Sequence, residues 1–227
     1  YRYGGWGLYT DEGSTGVLME NNLVHDVTES PFHQHYGYYN TVRNNILAYG
    51  ALAQLRRSRA EDHLSFILER NIVVWSPVSK LLDGGKYNWS YAEKPDRGYP
   101  ATTFILRNNL YWQDDGRVPE KLAETWTWDA WRKAGRDAGS QFADPRFVDL
   151  TARDFRLQPD SPALKTGFQP WDLAAAGVRT NGAAGRAWRA RAEKAADVPD
   201  WAERARPWPS PPFEIDLETF EYAAPGT

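Results

Sequence analysis

An all-β chain wound from repeated units is the fold class that this sequence predicts, and three observations predict it. The first is a four-fold echo. Leu18-Met19-Glu20-Asn21-Asn22-Leu23-Val24 returns as Thr41-Val42-Arg43-Asn44-Asn45-Ile46-Leu47, as Ile67-Leu68-Glu69-Arg70-Asn71-Ile72-Val73 and as Ile105-Leu106-Arg107-Asn108-Asn109-Leu110-Tyr111. The second is its spacing. The last Asn of each unit falls at positions 22, 45, 71 and 109, so the steps are 23, 26 and 38. A base period with insertions in the later turns is what a coiled solenoid gives. The third is composition: 18 Gly, 15 Pro, 11 Trp and 12 Tyr point to turns and aromatic surfaces rather than to a helical bundle.

Each unit places an apolar residue three before the Asn (Met19, Val42, Leu68, Leu106) and another one after it (Leu23, Ile46, Ile72, Leu110). Short strands of this kind, stacked on the next turn's strands at about 4.8 Å, form a right-handed parallel β-helix. Asn at a corner adopts the left-handed conformation at low cost. Stacked Asn side chains also hydrogen-bond to one another in a ladder. Asn22, Asn45, Asn71 and Asn109 are therefore read as corner formers and not as ligands.

On this reading residues 1–116 are the coils, 117–185 close the solenoid, and 186–227 form an Ala/Arg-rich helix or linker leading to a further domain. In the closing segment, Thr127 to Gly135 predicts a short helix, capped by the Thr hydroxyl at its start and the Gly at its end. Phe147-Val148-Asp149 and Asp154-Phe155-Arg156-Leu157 alternate apolar and polar residues between turn formers, as two short strands do. Pro207 to Pro212 is a rigid spacer, and Phe213 to Glu218 reads as the start of an appended domain. Tyr1 is not an initiator Met, no signal peptide precedes it, and the last residues follow a strand-like run. The chain is thus expected to be an internal piece of a longer protein.

Charge and composition exclude several function classes. Lys plus Arg number 27 against 30 Asp plus Glu, for a net charge of −3. No basic field is available for nucleic acid or anionic lipid. The absence of Cys removes a disulfide framework, a thiolate nucleophile and a Cys-based zinc site. No apolar run approaches the roughly 18 residues of a membrane span.

Counting back from the corner Asn residues places polar side chains on common positions. Asp11 and Gln34 are each 11 before theirs, and Glu12 and His35 are each 10 before theirs. Tyr9 to Glu12, His33 to Tyr36 and Gln54 to Arg59 are then expected as consecutive rungs, with Arg57 to Ala60 over Gln34 and His63 following. Ser, Thr or Asn normally suffice on such a face. Here the column holds two acids, two histidines, a glutamine and up to three arginines, with Trp6, Tyr36, Tyr38 and Tyr39 nearby. Aromatic faces stack on pyranose rings, and Arg, Gln and His hydrogen-bond hydroxyls or carboxylates, so the strip suits a sugar. The bland alternative is a solvated salt-bridge ladder.

A glycosidase needs two carboxylates, about 5 to 5.5 Å apart for retention and roughly 6.5 to 9.5 Å for inversion. An acid one rung below Asp11 fits the shorter spacing, and that rung would precede residue 1. Other candidates are weaker. His25-Asp26 reads as a turn hydrogen bond. His33 and His35 share a strand face and are half of a metal site without a third ligand. Asp83-Gly84-Gly85 and Asp114-Asp115-Gly116 are turn formers, although an acidic turn can hold calcium. No metal and no cofactor is otherwise expected. Asn88-Trp89-Ser90 matches a glycosylation acceptor without further support. No phosphate-cradling loop, nucleophile elbow or dinucleotide fingerprint is present.

Gly4-Gly5-Trp6-Gly7-Leu8-Tyr9-Thr10-Asp11-Glu12-Gly13-Ser14, Phe32-His33-Gln34-His35-Tyr36-Gly37 and Gln54-Leu55-Arg56-Arg57-Ser58-Arg59 resemble segments of secreted bacterial β-helix proteins with a pectate-lyase-like solenoid. The closing run from Asp144 to Ala163 is similar to the ends of many polysaccharide-acting β-helices. The resemblance covers about residues 1 to 180 and fits glycoside hydrolase family 141 best, whose members include α-L-fucosidases and xylanases. It implies a secreted or periplasmic glycosidase with two catalytic Asp residues. Asp11 matches one by motif, and the other would lie upstream of this chain.

The expected function is thus a glycoside hydrolase acting on a plant or microbial polysaccharide. Asp11 is one carboxylate, with Glu12 and His35 tuning it. Trp6, Tyr9, His33, Gln34, Tyr36, Arg57, Arg59 and His63 hold the sugar. Two alternatives stand beside it: a polysaccharide lyase, with Arg or His abstracting the proton alpha to a uronate carboxylate, and a β-helix that binds glycans without catalysis.

Overall fold

The computed structural model describes residues 5–84, 89, 103–123, 126–173, 182–183, 185–187 and 189–190. The chain is mostly β, with parallel sheets and few helices. Strands come in threes: β1 (Leu8–Thr10), β2 (Leu18–Glu20), β3 (Leu23–His25); β4 (Phe32–Gln34), β5 (Asn40–Arg43), β6 (Ile46–Ala48); β7 (Ala53–Arg57), β8 (Phe66–Glu69), β9 (Ile72–Trp75); and β10 (Lys80–Asp83), β11 (Phe104–Arg107), β12 (Leu110–Gln113). Each strand pairs in parallel with the strand three elements later. The result is three sheets, β1-β4-β7-β10, β2-β5-β8-β11 and β3-β6-β9-β12, the last extended by β13 (Gln141–Phe142).

Alternation along these strands sets the core. In β5, Asn40 and Val42 are buried while Thr41 and Arg43 are partly exposed. Met19, Val42, Leu68 and Leu106 are register partners. Phe32 and Leu55 from the first sheet, Val42 and Leu68 from the second, and Leu47 and Val73 from the third share one apolar cluster. A second cluster joins Ile46, Ile72 and Leu110 to Phe147, Phe155, Ala163 and Phe168. The last four belong to an antiparallel hairpin, β14 (Phe147–Asp149) with β15 (Asp154–Leu157), and to the segment after it, which includes a short 3-10 helix (Pro162–Thr166). That helix was not legible in the sequence.

The repeated Asn residues form the expected ladder. Asn22 Nδ2 donates to Asn45 Oδ1 at 2.9 Å, Asn45 Nδ2 to Asn71 Oδ1 at 2.9 Å, and Asn71 Nδ2 to Asn109 Oδ1 at 3.1 Å. Ser140 extends it by accepting from Asn109 N at 2.7 Å. One part of the expectation needs correction. The left-handed residue is not the ladder Asn but the one before it: Asn21, Asn44, Arg70 and Asn108 have φ of 54 to 57°. The corner thus divides the work. One residue turns the chain, and the next points inward to satisfy buried backbone groups.

The short helix, α1 (Trp128–Lys133), is capped as predicted. Thr127 accepts from Ala130 N, and Gly135 has φ +76° just past the end. Internal contacts divide the chain into two units, Tyr1–Ala176 and Gly177–Thr227. In the second, residues 183, 185–187, 189 and 190 are helical. The rest of the predicted Ala/Arg-rich stretch, the Pro207–Pro212 spacer and the Phe213–Glu218 run lie outside the described residues. So do residues 1–4, Gly85, Lys86 to Asn88, and Ser90 to Pro100. No helix among the described residues is long and apolar enough to cross a membrane.

Candidate functional site

The first sheet carries the candidate site on its outer side. Its register aligns Tyr9 with His33 and His33 with Arg56, and Arg56 in turn with Asp83. Trp6 stacks on Tyr9 with ring centroids 4.5 Å apart and planes 17° from parallel. His33 lies 5.0 Å from Trp6 and 5.1 Å from Tyr9. His35 follows at 6.3 Å from His33 and meets Tyr36 edge-on at 4.6 Å. The Arg59 guanidinium lies 4.4 Å over the Tyr36 ring. Trp6, Tyr9, His33, His35, Tyr36 and Arg59 therefore form one continuous strip, in which His33 is itself buried; counting back from the Asn residues sets Tyr9 against Phe32, whereas the register sets it against His33.

Gln34 and Arg57 do not belong to that strip. Both are fully buried. Arg57 Nε donates to Gln34 Oε1 at 2.9 Å, and Nη1 donates to Thr103 Oγ1 at 3.0 Å. Its guanidinium also lies 5.3 Å from the Phe104 ring centroid. Burial pulls its pKa down to about 10. The reason is alternation: Thr10, Gln34 and Arg57 are register partners one residue past the outward column, so they point inward. Gly84 follows Asp83, and a Cβ there would meet the Arg57 carbonyl oxygen at 1.8 Å. The expectation that Gln34 and Arg57 touch substrate on the outer face is thus corrected.

The register of Asp11 is corrected as well. Thr10, not Asp11, pairs with Gln34. From Thr10 to Leu18 the chain is one residue longer than between their partners Gln34 and Thr41, so counting back from the Asn slips by one. Asp11 and Glu12 are exposed in the turn after β1 rather than in a rung. The Asp11 backbone N–H donates to Ser14 Oγ at 3.1 Å. Burial, then the Asp11 charge and its hydrogen bond, push the Tyr9 phenol up from its ordinary 10.0, which puts Asp11 at the Tyr9 end of the strip.

Among the described residues, the ring that His63 meets is Tyr38. His63 Nε2 lies 2.9 Å from Gly37 O and its ring 4.7 Å from Tyr38, which in turn packs on Tyr39. His25 makes the predicted turn contact, Nδ1 to Asp26 Oδ2 at 2.7 Å. Asp115 is held by Gln113 and Arg117 in its turn. No group of three metal-ligating side chains occurs among the described residues.

Ser58 and Glu29 carried no site role in the sequence, and Asp83, expected only as a turn former, ends β10. Ser58 Oγ lies 2.8 Å from both His33 Nε2 and His35 Nδ1. Glu29, from the loop before β4, accepts from Trp6 Nε1 at 2.8 Å and from Arg56 Nη1 at 2.5 Å. Asp83 lies 3.7 Å from Arg56 Nε. Ser58 lies between two arginines in the sequence with nothing in its own pattern to mark it, while Glu29 carries no repeat signal. Burial first, then Arg56 and His35, lower the His33 pKa to about 4. A neutral imidazole is therefore fixed in the middle of the strip at neutral pH.

No family model matches the chain, and no curated protein or solved structure matches it either.

Proposed function

We propose that this chain is part of a glycoside hydrolase acting on a plant or microbial polysaccharide, built on a right-handed parallel β-helix of the kind found in glycoside hydrolase family 141. Strands that pair with the third strand onward in three parallel sheets support the winding, and parallel crossovers are right-handed in nearly all cases. The observation that carries the function is the unbroken strip of Trp6, Tyr9, His33, His35 and Tyr36 with Arg59 at its end. Flat rings backed by polar donors suit pyranose faces and hydroxyls. Asp11 serves as one of two carboxylates, with its partner upstream of this chain. Glu12 shares the turn and tunes the local charge. The family likeness also makes the protein secreted or periplasmic.

A polysaccharide lyase is the second reading, favoured by an imidazole and a cation that both pack against one ring. His35 and Arg59 are both within 5 Å of Tyr36 by ring or guanidinium centre, at 4.6 and 4.4 Å. The test uses the full-length parent beside its Asp11→Asn variant, on aryl glycosides and uronate-rich pectins. Reducing ends that appear without near-ultraviolet absorbance, and vanish in the variant, are the expected result. Absorbance that survives the substitution transfers the reading to the lyase, and glycan binding without either product leaves a binding protein.

A further inference from the structure

Ser58 stands between two imidazoles and has one proton to give. Its Oγ is 2.8 Å from His33 Nε2 and 2.8 Å from His35 Nδ1. A hydroxyl donates once and accepts up to twice, so it can donate to only one of these nitrogens. The His33 ring decides which. Its side chain is buried at 3% exposure, and Nδ1 has no hydrogen-bond partner among the described residues. Burial with Arg56 and His35 nearby keeps this ring neutral, with a single proton to place. A proton on Nδ1 would orphan a buried N–H, which folded proteins tolerate less often than an unfilled acceptor. The proton therefore sits on Nε2 and is donated to Ser58. His33 Nε2 and His35 Nδ1 are the only partners of Ser58 Oγ among the described residues, so its one proton has His35 Nδ1 as its acceptor, and His35 carries its own proton on Nε2.

We infer that Ser58 is a positioning residue of the strip: by bridging His33 and His35 it fixes both tautomers, so that His35 presents Nε2–H as a hydrogen-bond donor to an acceptor oxygen of the bound sugar. The part played by the sugar rests on the glycan reading above, whereas the tautomer lock does not. His35 is half-buried and edge-on to Tyr36, so its free edge belongs to the strip. The consequence is chemical. A ring nitrogen that already holds a proton cannot remove one, so His35 orients or polarises an oxygen and is not the base of an elimination.

The test is the long-range nitrogen–proton spectrum of the uniformly ¹⁵N-labelled chain at pH 7, without sugar. The four histidines are assigned by single substitutions. His33 and His35 are both expected as the neutral Nε2–H form. In Ser58→Ala, the His35 nitrogens should shift toward the averaged values of exchanging tautomers, and Ser58→Thr, which keeps the hydroxyl, should restore the wild-type pattern. A wild-type His35 found as the Nδ1–H form or as an imidazolium overturns the inference, even if Ser58→Ala fails to fold. So does a folded Ser58→Ala with an unchanged His35 pattern. Because no glycan is present, failure of the sugar reading appears only in the activity assays and leaves this result separate.

Discussion

Arg153 grips Asp26 at two points, Nη2 to Oδ1 at 2.8 Å and Nε to Oδ2 at 3.0 Å, across 127 residues of chain. The guanidinium also lies 3.7 Å over the Tyr49 ring. The contact ties the turn of the closing hairpin to the corner after β3. Burial alone would raise the Asp26 carboxyl, but the bonds from Arg153 and His25 outweigh it and leave the pKa below the ordinary 3.8. Arg153→Ala should therefore cost about 1–3 kcal/mol, more than an exposed pair and less than a fully buried one. Asp26 contributes stability that is present above its unfolded pKa and lost as pH falls through its lower folded value. Urea unfolding of wild type, Arg153→Ala and Asp26→Asn at pH 7 and pH 3 checks both statements; equal midpoints at pH 7 would refute the first.

His33 predicts a second acid-sensitive window at higher pH. Its folded pKa of about 4 lies below the ordinary 6.5, so the folded state resists protonation. Stability should be constant above about pH 6.5 and decline as pH falls toward 4, by at most roughly 3 kcal/mol. His33→Gln should lower stability at pH 7 but flatten this slope between pH 6.5 and 4.5. An identical slope in both proteins would assign the loss to other groups.

The Asn ladder should be costliest to break in its middle. Asn71 is fully buried and accepts from Asn45 N and Nδ2, both at 2.9 Å, while donating to Val42 O at 3.0 Å. Asn71→Ala strands these partners and should cost about 3 kcal/mol or more. Asn22 is only partly buried in this chain, so Asn22→Ala should cost about 1 kcal/mol. Thermal midpoints of the two variants decide the order.

Arg57 and Arg59 should behave oppositely although two residues apart. Arg57→Met keeps much of the volume between Phe66 and Phe104 but leaves Gln34 Oε1 and Thr103 Oγ1 without this donor, so it should lose about 1–3 kcal/mol of stability. Glycan affinity of the folded fraction should not change. Arg59→Ala should keep the unfolding midpoint within about 0.5 kcal/mol and weaken glycan binding several-fold. Calorimetry with the parent's substrate separates the two, and a loss of affinity in Arg57→Met would put that side chain back on the outer face.

What the sequence determined by itself was local. The apolar residues flanking each Asn, the ladder through Asn22, Asn45, Asn71 and Asn109, and the Thr127-to-Gly135 helix all follow from short-range periodicity and capping chemistry. The aromatic and imidazole strip was legible for the same reason, since Trp6, Tyr9, His33, His35 and Tyr36 are carried by two neighbouring turns. Tertiary structure decided which way the polar residues face. One extra residue between Thr10 and Leu18 slips the register, and a slip of one exchanges the two faces of a strand. That is why Asp11 fell in the turn, while Gln34 and Arg57 face inward by strand alternation, one residue past His33 and Arg56. The partnerships of Ser58 with two histidines and of Arg153 with Asp26 depend on loops whose lengths obey no repeat, so only the folded chain brings those atoms within hydrogen-bonding reach.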